Sequence, residues 1–332
     1  MKNIQRLSII ALLSCAACTR SNSQQQYAPP PQPLELQLQV STPFHFVVYG
    51  DSRFHDPKDT EAANPPVRQA LVQAIAQTDP AFISFDGDIV YNGYDKDDWK
   101  VYDTETAVWR EKKIPVYPAL GNHDLHGSEK DALGNYFERF PELKNCVYYS
   151  VRAANIMMLL LDSALDETAG PQGQWVRQKL DHLPADVDFV LVVLHHPPYT
   201  SSSDAKKMGG GHSARSQELE LAKMLEARQQ SLRARIVVFS GHVHNYERHE
   251  HGGITYFVTG GAGAHAYPIE RAKEDPFQSK EVNYHYLQVE DDAGKLKITM
   301  KRLNLVGNTA LWTQPDSVTI SVPATRVATQ GK

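Results

Sequence analysis

From residue 41 onward, short runs of consecutive apolar residues alternate with stretches in which apolar positions recur every three or four residues. The runs "FHFVVYG" (44–50), "AFISF" (81–85), "IPVYPAL" (114–120), "NIMMLLL" (155–161), "DFVLVVL" (188–194), "RIVVF" (235–239) and "ITYFVTG" (254–260) predict strands. Several β-branched or aromatic residues in succession suit a sheet covered on both faces. Asn64-Pro65-Pro66 predicts a helix cap and start, with Val67, Ala70, Leu71, Ala74 and Ile75 at helical spacing behind it. Further helices are expected over 97–111, 172–182 and 215–231, and a hairpin over 284–303 around Asp292-Ala293-Gly294. This order predicts one α/β sandwich over residues 41–323, sheets inside and helices outside, with no linker dividing it.

The ends of the strands are more specific. Five of the runs lead into polar residues of metal-binding type: Gly50-Asp51-Ser52-Arg53, Gly87-Asp88-Ile89-Val90-Tyr91, Gly121-Asn122-His123-Asp124, His195-His196-Pro197-Pro198 and Gly241-His242-Val243-His244. A lone His-x-His is usually a surface or packed pair, although side chains two apart on an extended backbone share a face. Five such endings form a pattern that core packing does not require, at the place where α/β sheets carry their chemistry. Asp51, Asp88, Tyr91, Asn122, His195, His242 and His244 mix oxygen and imidazole donors, which suits iron, zinc or manganese better than a thiolate site or an all-oxygen calcium cage. Seven donors exceed the needs of one small ion, so two ions sharing a bridging carboxylate are expected, with Asp88 as the bridge.

A net charge of −5 and the lack of a Lys/Arg stripe argue against nucleic-acid binding through bulk charge. The N-terminal "MKNIQRLSIIALLSCAACTR" has a basic start, a short apolar stretch from Leu7 to Leu13 and small residues around Cys15 and Cys18. It reads as a bacterial secretory signal over 1–18, either of lipoprotein type with Cys15 or Cys18 lipidated, or simply cleaved. Residues 19–40, polar and Pro/Gln-rich, read as an extended tether, and 324–332 as a tail. Only Cys146 lies beyond the leader, so no internal disulfide is expected.

Taken in order, the five blocks resemble the calcineurin-like metallophosphoesterases, and "GDxxY", "GNHD" and "GHVHNYER" resemble their purple acid phosphatase branch. The resemblance spans nearly all of 44–303. It implies a four-layer α/β/β/α sandwich with a dinuclear site at the strand ends. It further implies that Asp51, Tyr91 and His244 hold one metal and Asn122, His195 and His242 a second, with Asp88 between them, and iron paired with zinc, manganese or iron. Most members carry Asp-x-His in the first block. Here the third position is Arg53, which stays protonated and cannot ligate. Tyr91 supplies a donor in its place, and His55 is a substitute to consider.

The reaction implied is hydrolysis of phosphate monoesters by a water acidified between two cations. His123 is expected to contact phosphate or protonate the leaving oxygen, Arg53 to clamp a phosphate oxygen, and His196 and His212 to assist. Alternatives with the same fold are a phosphodiesterase or nucleotidase, or a catalytically silent surface lipoprotein. The expected partner is a small phosphorylated substrate. No nucleic acid is required, membrane contact runs only through the lipid anchor, and the setting is the periplasm or outer membrane. Asp124 reads either as a partner orienting a histidine or as a turn residue. "MGGGHS" (208–213) reads as a connector or as a loop bringing His212 over the site. Tyr246, Glu247 and Arg248 read as a rim of the site or, through an ion pair, as fixing their loop, and the glycines of "TGGAGAH" (259–265) are expected to serve crowding near the metals.

Overall fold

The computed structural model describes residues 33–202 and 212–323. The signal at 1–18 with Cys15 and Cys18, most of the tether, residues 208–211 of the glycine-rich segment and the tail at 324–332 lie outside the described residues. In chain order the first half holds β1 (Glu35–Leu38), β2 (Phe44–Tyr49), α1 (Pro65–Thr78), β3 (Ile83–Phe85), α2 (Lys96–Glu105), α3 (Ala107–Glu111), β4 (Val116–Pro118) and α4 (Glu129–Arg139). Next come β5 (Tyr149–Ala153), β6 (Ile156–Leu160), α5 (Pro171–Asp181), β7 (Phe189–Val193), α6 (Ser216–Gln229), β8 (Arg235–Ser240), β9 (Tyr246–His251) and β10 (Ile254–Thr259). The chain closes with β11 (Tyr284–Asp292), β12 (Lys295–Val306), β13 (Thr309–Thr313) and β14 (Ser317–Ser321).

Two seven-stranded sheets form. One runs β1-β5-β6-β7-β8-β10-β9; the other runs β13-β12-β11-β2-β3-β4, with β14 beside β12. Alternate side chains of each strand point to opposite faces. On the first sheet Met158, Leu160, Leu191, Val193, Val237 and Phe239 share one core with the second sheet and with Val67, Leu71 and Ile75 of α1. Leu159, Val190, Val192 and Val238 share another with Trp175 of α5 and Leu221 and Leu225 of α6. Strands with both faces covered are what continuous apolar runs predict, and the expected α/β/β/α layering is present.

Several boundaries differ from expectation. The region expected to be a tether to residue 40 joins the domain earlier: β1 pairs in parallel with β5, and Leu34, Leu36, Leu38 and Val40 pack against the core. Their alternation with polar residues is the signal of an edge strand. The helix expected over 97–111 is two, because the Thr106 hydroxyl bonds the Tyr102 carbonyl and the backbone leaves helical geometry at Thr106. The α1 cap is as expected, with Asn64 accepting from the Val67 N–H. Cys146 is a buried free thiol. No described helix is long and apolar enough to cross a membrane.

Candidate metal centre

The loops after β2, β3, β4, β7, β8 and β10 meet above the sheet edges. Asp51, Arg53, Asp88 and His242 all adopt left-handed backbone, at φ 62°, 46°, 52° and 69°. A residue with a Cβ is strained in that conformation, and such strain collects where a site dictates the backbone. Cross-loop bonds hold the turns: Asp51 N–H to Gly87 O (3.0 Å), Arg53 N–H to Asp88 O (3.1 Å) and Gly241 N–H to His195 O (3.0 Å). Glycine beside the ligands has a steric cause. A Cβ at Gly121 would stand 2.2 Å from the Asp88 nitrogen and 2.3 Å from its Oδ1, and one at Gly241 would stand 2.3 Å from Asp51 Oδ2.

Four polar atoms converge on one side. Asn122 Oδ1 lies 3.1 Å from His195 Nε2 and 3.1 Å from His242 Nδ1. The two ring nitrogens are 3.3 Å apart, and Asp88 Oδ1 is 3.3 Å from His195 Nε2. His195 Nδ1–H donates to the Asp86 carbonyl at 3.0 Å, and burial holds the ring below the usual histidine range, so Nε2 presents a lone pair. The Asn122 and Asp88 oxygens and His195 Nε2 are acceptors, and acceptors facing one another at these distances repel unless a hydrogen on His242 Nδ1 or a cation lies between them. Edges of 3.1–3.3 Å match ligands arranged about 2.1 Å from a shared ion, which puts them about 3.0–3.4 Å apart.

The second side holds Asp51, Asp88 and His244, whose ligand atoms all lie within 4.8 Å of one another and are buried. His244 Nδ1–H donates to the His265 carbonyl at 2.8 Å, which turns Nε2 inward. Asp51 Oδ1 and His244 Nε2, 3.5 Å apart, are buried and without a hydrogen bond among the described residues. Buried polar atoms without partners are rare and costly, and here they fit a metal. Burial, with the Asp88 and Asp86 carboxylates, pushes the Asp51 carboxyl well above its usual range. At Asp88 burial acts the same way but is outweighed by His195, His123 and Arg53, which hold that carboxyl well below. Asp88 thus touches both groups, as a bridging ligand must.

The remaining expected residues divide. His123 donates its backbone N–H to Asp88 Oδ1 at 2.8 Å and its Nδ1–H to the Tyr91 carbonyl at 2.7 Å; burial lowers its ring to about 4. The Tyr91 ring stacks 5.2 Å from that of His123 and lies 5.1 Å from that of His55. Arg53 commits Nε and Nη2 to Asp88 Oδ2, at 3.4 and 3.2 Å. His212 is brought over the centre, its ring 5.0 Å from His242 and 5.8 Å from His244. The His196 ring lies 4.4 Å from His242, and burial, then the neighbouring His195 and His242, push its pKa far down.

His55 as a substitute ligand is not supported: its ring nitrogens turn to Asp98 and Asp59. Asp124 orients no histidine among the described residues. Its carboxylate accepts the N–H groups of Ile89, Val90 and Gly121, at 2.9, 3.2 and 2.9 Å, tying the two ligand loops together. Tyr246 and Arg248 both bond Asp316, and Glu247 bonds the Thr200 hydroxyl and Ser201 N–H, so these residues do fix loops. Gly260 and Gly261 lie where a Cβ would meet Val243 O at 2.4 Å and His285 Nδ1 at 2.1 Å, in keeping with crowding.

Two residues outside the expected set also belong to the centre. Asp86 is wholly buried beneath it, with neither carboxylate oxygen hydrogen-bonded among the described residues, and Ser163 is bonded to His196. Asp86 shares the Asp-Gly-Asp triplet with Asp88, a local signal; Ser163 had none.

Comparison with known proteins shows the family and the fold. Purple acid phosphatase 23 of Arabidopsis thaliana is 28% identical over 148 residues, which are 41% of this chain and 30% of that protein. Purple acid phosphatase 15 of the same plant is 31% identical over 147 residues, 41% of this chain and 25% of that protein. The chain therefore spans less than a third of either relative's length. Among solved structures, purple acid phosphatase PPD1 from yellow lupin (Lupinus luteus) seeds superposes with a TM-score of 0.66 at 16% identity, covering 85% of this chain and 54% of that one. The calcineurin-like phosphoesterase profile matches residues 44–246, more than half the chain and every loop that carries the seven donors. With every ligand loop and its left-handed turns inside that match, the chain belongs to the calcineurin-like phosphoesterase family.

Proposed function

We propose that the protein is a dinuclear, purple acid phosphatase-like hydrolase of phosphate monoesters, exported and lipid-anchored through its N-terminal segment. The observation that carries the reading is the convergence of Asn122 Oδ1, His195 Nε2, His242 Nδ1 and Asp88 Oδ1 beside Asp51 Oδ1 and His244 Nε2, which are buried without a hydrogen bond among the described residues. Asn122, His195 and His242 would hold one ion and Asp51, His244 and Tyr91 the other, with Asp88 shared. Iron paired with zinc, manganese or iron suits this donor set. When bound, such a pair supplies an acidified water and positive charge for the phosphoryl oxygens.

The chain's own groups do the rest. His123 commits Nδ1–H to Tyr91, so Nε2 is the nitrogen left to exchange a proton with substrate. Arg53 steadies Asp88 with two of its nitrogens and keeps Nη1 for a phosphoryl oxygen. His212 and His196 line the same opening beside His242. The leader's basic start, apolar stretch and cysteines support export.

The test is metal analysis with a visible spectrum on protein purified without chelator, for wild type, Asp88→Asn and Tyr91→Phe. Two ions per chain, fewer in Asp88→Asn, and a phenolate-to-iron band lost in Tyr91→Phe are expected. One ion or none, unaffected by Asp88→Asn, rejects the dinuclear site. Faster cleavage of a chromogenic diester than of the matching monoester rejects the monoester assignment.

A further inference from the structure

Ser163, in the loop after β6, is a buried group outside the ligand set whose contacts run into the centre. It is 1% exposed. Its Oγ lies 2.7 Å from His196 Nδ1 and accepts the His196 backbone N–H at 3.3 Å. Its carbonyl accepts Arg215 Nη2 at 2.6 Å and Gln217 Nε2 at 3.2 Å. The preceding Asp162 is clasped through its N–H and carbonyl by Gln172 of α5, both at 3.0 Å. The loop is thus pinned from the starts of two helices, and the hydroxyl's position is set by the fold.

A serine hydroxyl has one hydrogen and two lone pairs. Here one lone pair takes the His196 N–H, and the only acceptor for the hydrogen among the described residues is His196 Nδ1. Were Nδ1 to carry a hydrogen, the serine hydrogen would be buried with no acceptor, which is the costly arrangement. The pair therefore selects the tautomer protonated on Nε2. That nitrogen has no hydrogen-bond partner among the described residues, on a partly exposed ring 4.4 Å from the His242 ring and 5.1 Å from that of His195.

We infer that Ser163 is a positioning residue that locks His196 as an Nε2–H donor to a phosphoryl oxygen held on the His195–His242 side of the centre. The inference rests on the phosphoesterase reading above. A donor fixed before the substrate arrives stabilises charge without reorganising, which is where such groups are worth most.

The experiment uses the full chain with zinc in the centre, as wild type, Ser163→Ala, Ser163→Thr, His196→Gln and the double variant Ser163→Ala/His196→Gln. Histidine-ring nitrogen NMR, with His196 assigned by its loss in His196→Gln, is expected to show Nε2–H in wild type and Ser163→Thr. Nδ1–H or a mixture is expected in Ser163→Ala. Nδ1–H in the wild type overturns the inference. Binding of inorganic phosphate is expected to weaken about tenfold in Ser163→Ala, the scale of one hydrogen bond, and to recover in Ser163→Thr. In the His196→Gln background, where the amide N–H stands in for Nε2–H without help, Ser163→Ala should change nothing. Equal losses in both backgrounds, or unchanged phosphate binding, overturn the donor role. Neither readout needs turnover, so a protein that binds phosphate but hydrolyses no ester would sink the phosphatase reading alone.

Discussion

Nη2 of Arg53 lies 3.2 Å from Oδ2 of Asp88, from a backbone held at φ 46°. The guanidinium is the resident counter-charge for a carboxylate that also faces Asp51. Bound cations would supply the same neutralisation. Arg53→Ala is therefore expected to destabilise the metal-free protein by roughly 2 kcal/mol, less than for a fully buried pair because Arg53 keeps some solvent access. The loaded protein should lose less. Urea unfolding with and without chelator measures both, and equal losses would mean that Arg53 only packs.

Two glycines make opposite predictions. Gly121→Ala would put a Cβ 2.2 Å from the Asp88 backbone nitrogen, so it should cost roughly 2–3 kcal/mol and weaken metal retention. Gly134, inside α4, has nothing within 4 Å of an added Cβ. Gly134→Ala should stabilise by about 0.5–1 kcal/mol. Thermal melts of the two variants side by side check the pair, and a stable, metal-retaining Gly121→Ala would contradict the packing described.

His285 sets an acid limit. It is wholly buried, Nδ1–H donating to Asn283 O at 2.9 Å and Nε2 facing the Thr259 hydroxyl at 3.0 Å; burial lowers its pKa to about 4. In the unfolded chain a histidine titrates near about 6.5. Between these values the unfolded chain binds a proton that the folded chain refuses, so stability falls as pH drops from about 6.5 toward 4, by roughly 3 kcal/mol in all. Above that window the contribution is fully present. His285→Asn should flatten this part of the profile, read as urea midpoints of metal-free protein at neutral and acid pH. An unchanged slope would assign the acid sensitivity to other groups.

β1 should matter to the domain. A chain starting at residue 33 keeps β1 and serves as the reference. One starting at residue 41 loses β1 and the Leu34, Leu36, Leu38 and Val40 contacts, for a loss of roughly 2–4 kcal/mol. Matching melts for the two would mean that the edge strand adds nothing.

Local pattern carried much of the architecture. Runs such as 188–194 and 254–260 are strands because both faces are covered, and Asn64 before Pro65-Pro66 starts a helix because the cap and the fixed proline torsion favour it. Pattern was weaker where a partner decides. β9, "YERHEH", is too polar to read as a strand, yet it pairs with β10 along its whole length. Thr106 splits a helix whose apolar spacing continues through the break.

For the centre, the sequence alone determined the kinds of donor and their place after strands, since residue type and local hydrophobic period are local properties. The tertiary structure alone decided which atoms meet. His242 N–H reaches Asp51 Oδ2 across 191 positions of chain, His55 turns away to Asp98, and Asp124 ties backbone rather than a ring. Ser163 had no signature in the sequence because its role depends on a hydroxyl placed against a ring 33 residues later. Such contacts are set by how strands and loops pack together, and a short window of sequence does not encode that distance.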